Sequence, residues 1–244
     1  MTGQRPPTGG IISSMKPSAL EVLFEDNHCL AVMKPAGLLT MGDDTGDPTL
    51  LDAAKAYLKE KYAKPGAVFL GVVHRLDRPV SGIVLYARTS KAAARLSAQF
   101  RDRTVEKVYW AAVTGANIPA EGELVGKITK DRARNIASVT DDDDGRDSRL
   151  GYRVLQRQSG LSLIEVCPLT GRGHQIRVQL AHADWPILGD RKYGSSRAFI
   201  PGGIALHARA LTVLHPVTQQ PLTITAELPE SWRSLGLSVN PPRH

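Results

Sequence analysis

The sequence predicts one α+β domain, a mixed sheet with a few helices. Three observations lead there. Short apolar, β-branched runs bounded by Gly, Pro, Asn and Asp recur from Val22 to Leu228, which is strand patterning. Apolar residues at helical spacing appear in only a few segments. No repeat, linker or compositional break divides Leu20 from Leu228, and 244 residues suffice for one sizeable core. Residues 1–18, with Pro6-Pro7, Gly9-Gly10 and Ser13-Ser14, read as a flexible tail. The domain is expected over 19–230, and 231–244 as a C-terminal tail.

Val22–Phe24, the turn Glu25-Asp26-Asn27 and Cys29–Met33 predict a hairpin. It ends in Lys34-Pro-Ala-Gly-Leu38, where Pro35 fixes its own φ and Gly37 permits a reversal. Asp47-Pro48 is expected to cap a helix carrying Leu51, Ala54 and Leu58 on one face. Gly71 to Ala87 (GVVHRLDRPVSGIVLYA) reads as a strand start, a dense polar turn and a second, buried strand. Ser90 is expected to cap a helix from about Lys91 to Arg101, with Ala92, Leu96 and Phe100 aligned. Lys107–Gly115 predicts a strand whose Tyr109 and Trp110 face opposite ways. Residues 116–147 are expected to be less regular, with Lys130, Arg132 and Arg134 available to phosphates. Arg149–Gln156 and Leu161–Val166 predict paired strands around Ser159-Gly160. A helix is expected from His174, a polar turn over Ile187–Gly194, and closing strands over Ala205–Pro216 and Leu222–Leu228.

Composition narrows the function classes. The excess of 31 Lys+Arg over 24 Asp+Glu gives a net charge of +7, which favours a polyanionic partner such as nucleic acid. The two cysteines make no disulfide framework, and the histidines lack metal-ligand spacing, so no metal site is expected. The run Asp141–Asp144 before Gly145 fails as a calcium loop, because Thr140 and Gly151 stand where acidic ligands belong. No signal segment and no apolar run near ~18 residues appears, so a cytoplasmic protein without a membrane span is expected.

One carboxylate stands out. Asp77 lies on a short loop between two rigid elements, with Arg75 and Arg78 beside it, and such loops commonly carry chemistry. The stretch His74-Arg-Leu-Asp-Arg-Pro-Val-Ser-Gly82 resembles the signature of the RluA-type pseudouridine synthases. Lys34-Pro-Ala-Gly-Leu38, Lys107-Val-Tyr109 with Ala111, Val113 and Gly115, and Thr170-Gly-Arg-Gly-His-Gln-Ile-Arg177 are similar to further motifs of that family. Gly189-Asp190, Tyr193-Gly194 and Leu206-His-Ala208 continue the set in the expected order. Val80 departs from the family's usual Thr, and no S4-type domain is expected before Leu20.

The resemblance implies a bent, mostly antiparallel mixed sheet flanked by helices and loops around an RNA cleft. It implies isomerisation of specific uridines in ribosomal or transfer RNA to pseudouridine, without cofactor or metal, by a monomer. By motif match, Asp77 is the catalytic aspartate, Tyr109 the aromatic that stacks on uracil, and Arg177 the partner of the aspartate. Arg75 resembles the arginine that fills the space left by the flipped base. His74, Arg78, Lys34, Arg172, His174 and Leu206 are expected to bind substrate.

The reaction breaks a C–N glycosidic bond, turns the uracil and forms a C–C bond at C5. A carboxylate suits it as nucleophile or base. The residues leave open attack at the base, attack at the sugar, and proton abstraction from the sugar. Two rivals are an RNA-binding protein without catalysis and a nucleoside or glycoside hydrolase.

Overall fold

The computed structural model describes residues 20–43, 45–131, 133–158 and 160–237. The expected tail over 1–18, Arg132 and Ser159 lie outside the described residues. Eleven strands, β1 (Val22–Glu25), β2 (Cys29–Lys34), β3 (Gly71–Val72), β4 (Ser81–Ala87), β5 (Glu106–Thr114), β6 (Glu121–Asp131), β7 (Ile136–Thr140), β8 (Arg146–Gln158), β9 (Leu161–Pro168), β10 (Leu206–Leu214) and β11 (Pro221–Thr225), form one sheet. Its order is β1-β2-β4-β10-β5-β9-β8-β6-β7, with β3 beside β4 and β11 beside β10. Every named pairing is antiparallel except β4 with β10. The expected α+β class with a mostly antiparallel mixed sheet is what the chain adopts.

Helices cover both faces. α1 (Leu50–Lys61) packs Leu50, Ala54 and Leu58 against Leu30 and Val32 of β2 and Tyr86 of β4. α2 (Ser90–Asp102) places Ala92 and Leu96 against Cys29, Ala31, Ile83 and Leu85 on the other face. Period-two alternation along β2 feeds both cores, and β4 is buried along its whole length. α3 (Gln175–His182) sets Val178 over Ile128 and Ala137 at the far end.

Four expectations change. The first helix is capped by Thr49, not Asp47: the Thr49 Oγ1 accepts from the Asp52 amide and donates to its carboxylate. Asp47 instead meets Arg78 at 2.7 Å. The second helix is capped by Thr89 rather than Ser90, through the Ala92 amide. Glu121–Asp131 and Ile136–Thr140 form regular strands; their polar sequence hides this, because Ile128 alone is buried along β6. The C-terminal tail does not begin at 231. Glu230–Leu235 is a 3-10 helix whose Trp232, only 2% exposed, joins the main core with Leu237. Among the described residues, no helix is long and apolar enough to cross a membrane.

The joint between β4 and β10 governs the site. Gly82 has φ 118°, and a Cβ there would lie 2.4 Å from the Ala208 carbonyl oxygen. Only glycine permits that approach. Beside it, the Ser81 hydroxyl donates to His207 Nδ1 at 2.9 Å, and His207 Nε2 lies 3.3 Å from the Ala226 carbonyl. His74 Nε2 accepts from the Leu85 amide at 2.9 Å, and its ring stacks on Phe100. Burial pushes both imidazoles down to about 4, helped by Lys107 at His74; at His207 the Ala226 bond opposes it and Arg209 helps.

A pH dependence follows. The unfolded chain takes up these protons near the ordinary value of 6.5, the folded chain only near 4. Their stabilisation is complete above 6.5 and is lost as pH falls, at up to ~1.4 kcal/mol per group per pH unit. Urea midpoints taken between pH 7 and 5 should fall steadily, and His207→Asn should flatten the slope. Midpoints independent of pH would contradict the buried neutral rings.

Candidate active site

The loop 76–80 between β3 and β4 carries Asp77, and it is pinned from four sides. Leu76 exchanges two hydrogen bonds with the Thr40 hydroxyl. The Arg78 carbonyl accepts from the Gly37 amide and from Lys34 Nζ. The Pro79 carbonyl accepts from the Ile204 amide, and the Val80 amide closes back on the Asp77 carbonyl. Rigid support of this kind places a side chain to within fractions of an ångström.

Lys34 is therefore not an RNA contact. It is 0% exposed, and its three ammonium protons go to the carbonyls of Pro35, Leu38 and Arg78 at 3.0, 2.7 and 3.0 Å. Burial pushes it down to about 7, and Asp77 opposes the fall. Only the charged form supplies three donors, so the geometry favours the ammonium.

Asp77 keeps 30% of its side chain exposed. Its Oδ2 lies 3.1 Å from Arg177 Nη1. Arg177, at the first turn of α3, is buried and fixed by a two-point pair: Nε to Asp190 Oδ2 at 2.7 Å and Nη2 to Asp190 Oδ1 at 2.9 Å. The Tyr193 ring lies 5.0 Å beneath the guanidinium. Burial opposes the positive charge, but Asp190 and then Asp77 outweigh it and raise Arg177 above its ordinary value. Asp190 and Tyr193 were read from sequence only as motif residues within a polar turn. Asp190 is 2% exposed, and Arg191–Tyr193 is a short 3-10 helix that delivers both residues to Arg177.

His174 sits at φ 60°, just before α3. Tyr193 Oη accepts from the Ala137 amide at 3.0 Å and lies 2.7 Å from His174 Nδ1. His174 Nε2 lies 3.8 Å from Asp77 Oδ2. Burial pushes His174 down to about 4 against the pull of Asp77.

Tyr109 projects from β5, opposite Ala208, and is partly buried on the face it shares with Leu206. Burial pushes its hydroxyl up, and the charge of Asp77 adds to the shift. Trp110, its neighbour, is buried with the Arg209 guanidinium 5.2 Å over its ring. Arg75 is exposed and, among the described residues, makes no ion pair or hydrogen bond. Thus Arg177, His174 and Tyr109 gather around Asp77, and Arg75 is exposed two residues before it.

Four other expected contacts serve the scaffold. His74 is stacked against α2, and Leu206 is buried opposite Ala111. The Arg78 guanidinium holds the Gly37 carbonyl and Asp47. Arg172 Nε donates to the Asp147 carbonyl.

The sheet and this group of side chains define the class. A human protein titled RNA Pseudouridylate Synthase Domain Containing 4 superposes with a TM-score of 0.75 at 25% identity, over 91% of this chain and 96% of its own. Residues 28–182 match the family model described as RNA pseudouridylate synthase. A Xanthomonas campestris pv. campestris protein named ribosomal large subunit pseudouridine synthase D is 37% identical over 88% of this chain and 68% of its own length. A Vibrio vulnificus protein named ribosomal large subunit pseudouridine synthase C is 32% identical over 91% and 70%. This chain belongs to the RNA pseudouridylate synthase family, enzymes that isomerise uridine in RNA to pseudouridine. It spans about two thirds of the length of these relatives.

Proposed function

We propose that the chain isomerises specific uridines of large-subunit ribosomal RNA, with Asp77 as the essential carboxylate. The observation that carries this is the Asp77 Oδ2 to Arg177 Nη1 contact of 3.1 Å, made by a guanidinium already locked by Asp190. Arg177 occupies one carboxylate oxygen, which leaves Oδ1 for the reacting carbon or proton. The ribosomal target is taken from the names of the relatives.

The reacting atoms of a stacked uridine are hidden, so the nucleotide must be extruded, at a few kcal/mol. Tyr109 stacks on the uracil, which returns ~1–3 kcal/mol. Arg75 takes the vacated place in the RNA stack. A hydrolase would use a second carboxylate to activate water. Asp190 is the carboxylate at hand, and both its oxygens are bound to Arg177.

Because C5 exchanges its hydrogen for the sugar carbon, a transcript labelled with [5-³H]uridine must release tritium. Purified protein with an unmodified large-subunit ribosomal RNA transcript should release tritium and yield pseudouridine. Release of free uracil would support hydrolysis, and turnover on transfer RNA transcripts alone would move the target. Tyr109→Phe keeps the stacking face, so RNA affinity should hold. If the hydroxyl takes part in proton transfer, turnover drops by about 10²-fold. Unchanged turnover would confine Tyr109 to stacking.

A further inference from the structure

Two ammonium groups beside the site have no carboxylate of their own. Lys130 on β6 stands opposite Ala137 of β7, whose amide holds Tyr193. Its side chain lies along the turn before α3: a Cβ built on Gly173 would sit 3.4 Å from Lys130 Nζ. Lys192, next to Tyr193, donates from Nζ to the Asn135 carbonyl at 2.6 Å, which ties it to the β6–β7 turn. Both side chains are exposed, and among the described residues neither makes an ion pair. Lys127, on the same strand, is different, because Asp143 holds it at 3.1 Å.

The charges around Asp77 do not balance. Arg177, Lys130 and Lys192 surround Asp77 and Asp190, and burial holds His174 below its ordinary value, which favours the neutral ring. Cations outnumber carboxylates here, and the buried Lys34 ammonium and Arg75, unpaired among the described residues, add to the excess. Lys192 registers the crowding: partial burial pushes it below its ordinary value, and Arg177 and Lys130 push further.

We propose that Lys130 and Lys192 form a seat for one phosphodiester of the RNA strand, adjacent to the nucleotide presented to Asp77. This rests on the reading of the chain as an RNA uridine isomerase acting through Asp77. A phosphodiester gives the two ammonium groups the anion they lack, and the Asn135 tether holds one of them in place before RNA arrives. The seat positions the strand and takes no part in bond making.

The test is Lys130→Gln with Lys192→Gln, assayed on the [5-³H]uridine-labelled large-subunit ribosomal RNA transcript. KM should rise about tenfold with kcat within about twofold. The plot of log affinity against log salt should become shallower by ~0.7–0.9, the value for one phosphate contact. Lys127→Gln should leave both quantities unchanged. A wild-type KM and slope in the double variant, an equal loss in Lys127→Gln, or a fall in kcat alone would each overturn the seat. If the double variant does not fold, Lys130→Gln alone carries the reading with about a threefold rise in KM, since that side chain holds nothing in the fold. Should the wild-type protein form no pseudouridine while the slope still changes, the catalytic reading fails and the seat stands.

Discussion

Asp77→Asn is expected to lower pseudouridine formation by about 10²–10⁴-fold or more, the range lost when a positioned base or nucleophile is removed. The amide has nearly the same size, and its oxygen can still accept from Arg177, so the pinned loop should keep its shape. What disappears is the negative charge and the nucleophilic oxygen. RNA affinity should stay within about twofold, because the cations that meet phosphate are untouched. Single-turnover tritium release and filter binding at two salt concentrations separate the effects. Turnover at the wild-type rate would end the assignment of Asp77.

Arg177→Met should cost both activity and stability. Arg177 is shared between an exposed carboxylate that reacts and a buried one that does not. Its removal leaves Asp190, 2% exposed, without a counter-charge. Breaking a buried pair in this way costs ~3–5 kcal/mol. Arg177→Lys keeps the charge but loses the two-point grip, so it should fold better and still turn over slowly. Urea unfolding and turnover per folded molecule give the two readouts. Normal isomerisation by a folded Arg177→Met protein would show that the aspartate needs no guanidinium partner.

The contrast between these residues explains what was legible in the sequence. Asp77 stands out by residue type, a carboxylate among arginines on a short loop, whereas Tyr109 and Arg177 are legible only through the family motifs they match. Strands with a buried face, such as β2, β4 and β5, announce themselves by apolar patterning. β6 and β7 do not, because one polar face meets solvent and Ile128 alone is buried along β6. Lys34 misled for a different reason. A lysine in a Pro-Gly turn looks solvated, and only the three converging carbonyls show that it is a buried brace. Asp190 was obscured because its partner is 13 residues away and the intervening turn is polar. The cap at Thr49 instead of Asp47 follows the Thr49–Asp52 hydrogen bonds, while Asp47 pairs with Arg78.

The most direct test of the central claim is a pseudouridine map of total RNA from cells lacking this gene, complemented with wild-type protein or with Asp77→Asn. A defined uridine, or a small set in large-subunit ribosomal RNA, should lose its modification in the deletion. Wild-type protein should restore it, and the variant, produced at the same level, should not. An unaltered map in the deletion strain, or restoration by Asp77→Asn, would contradict the account.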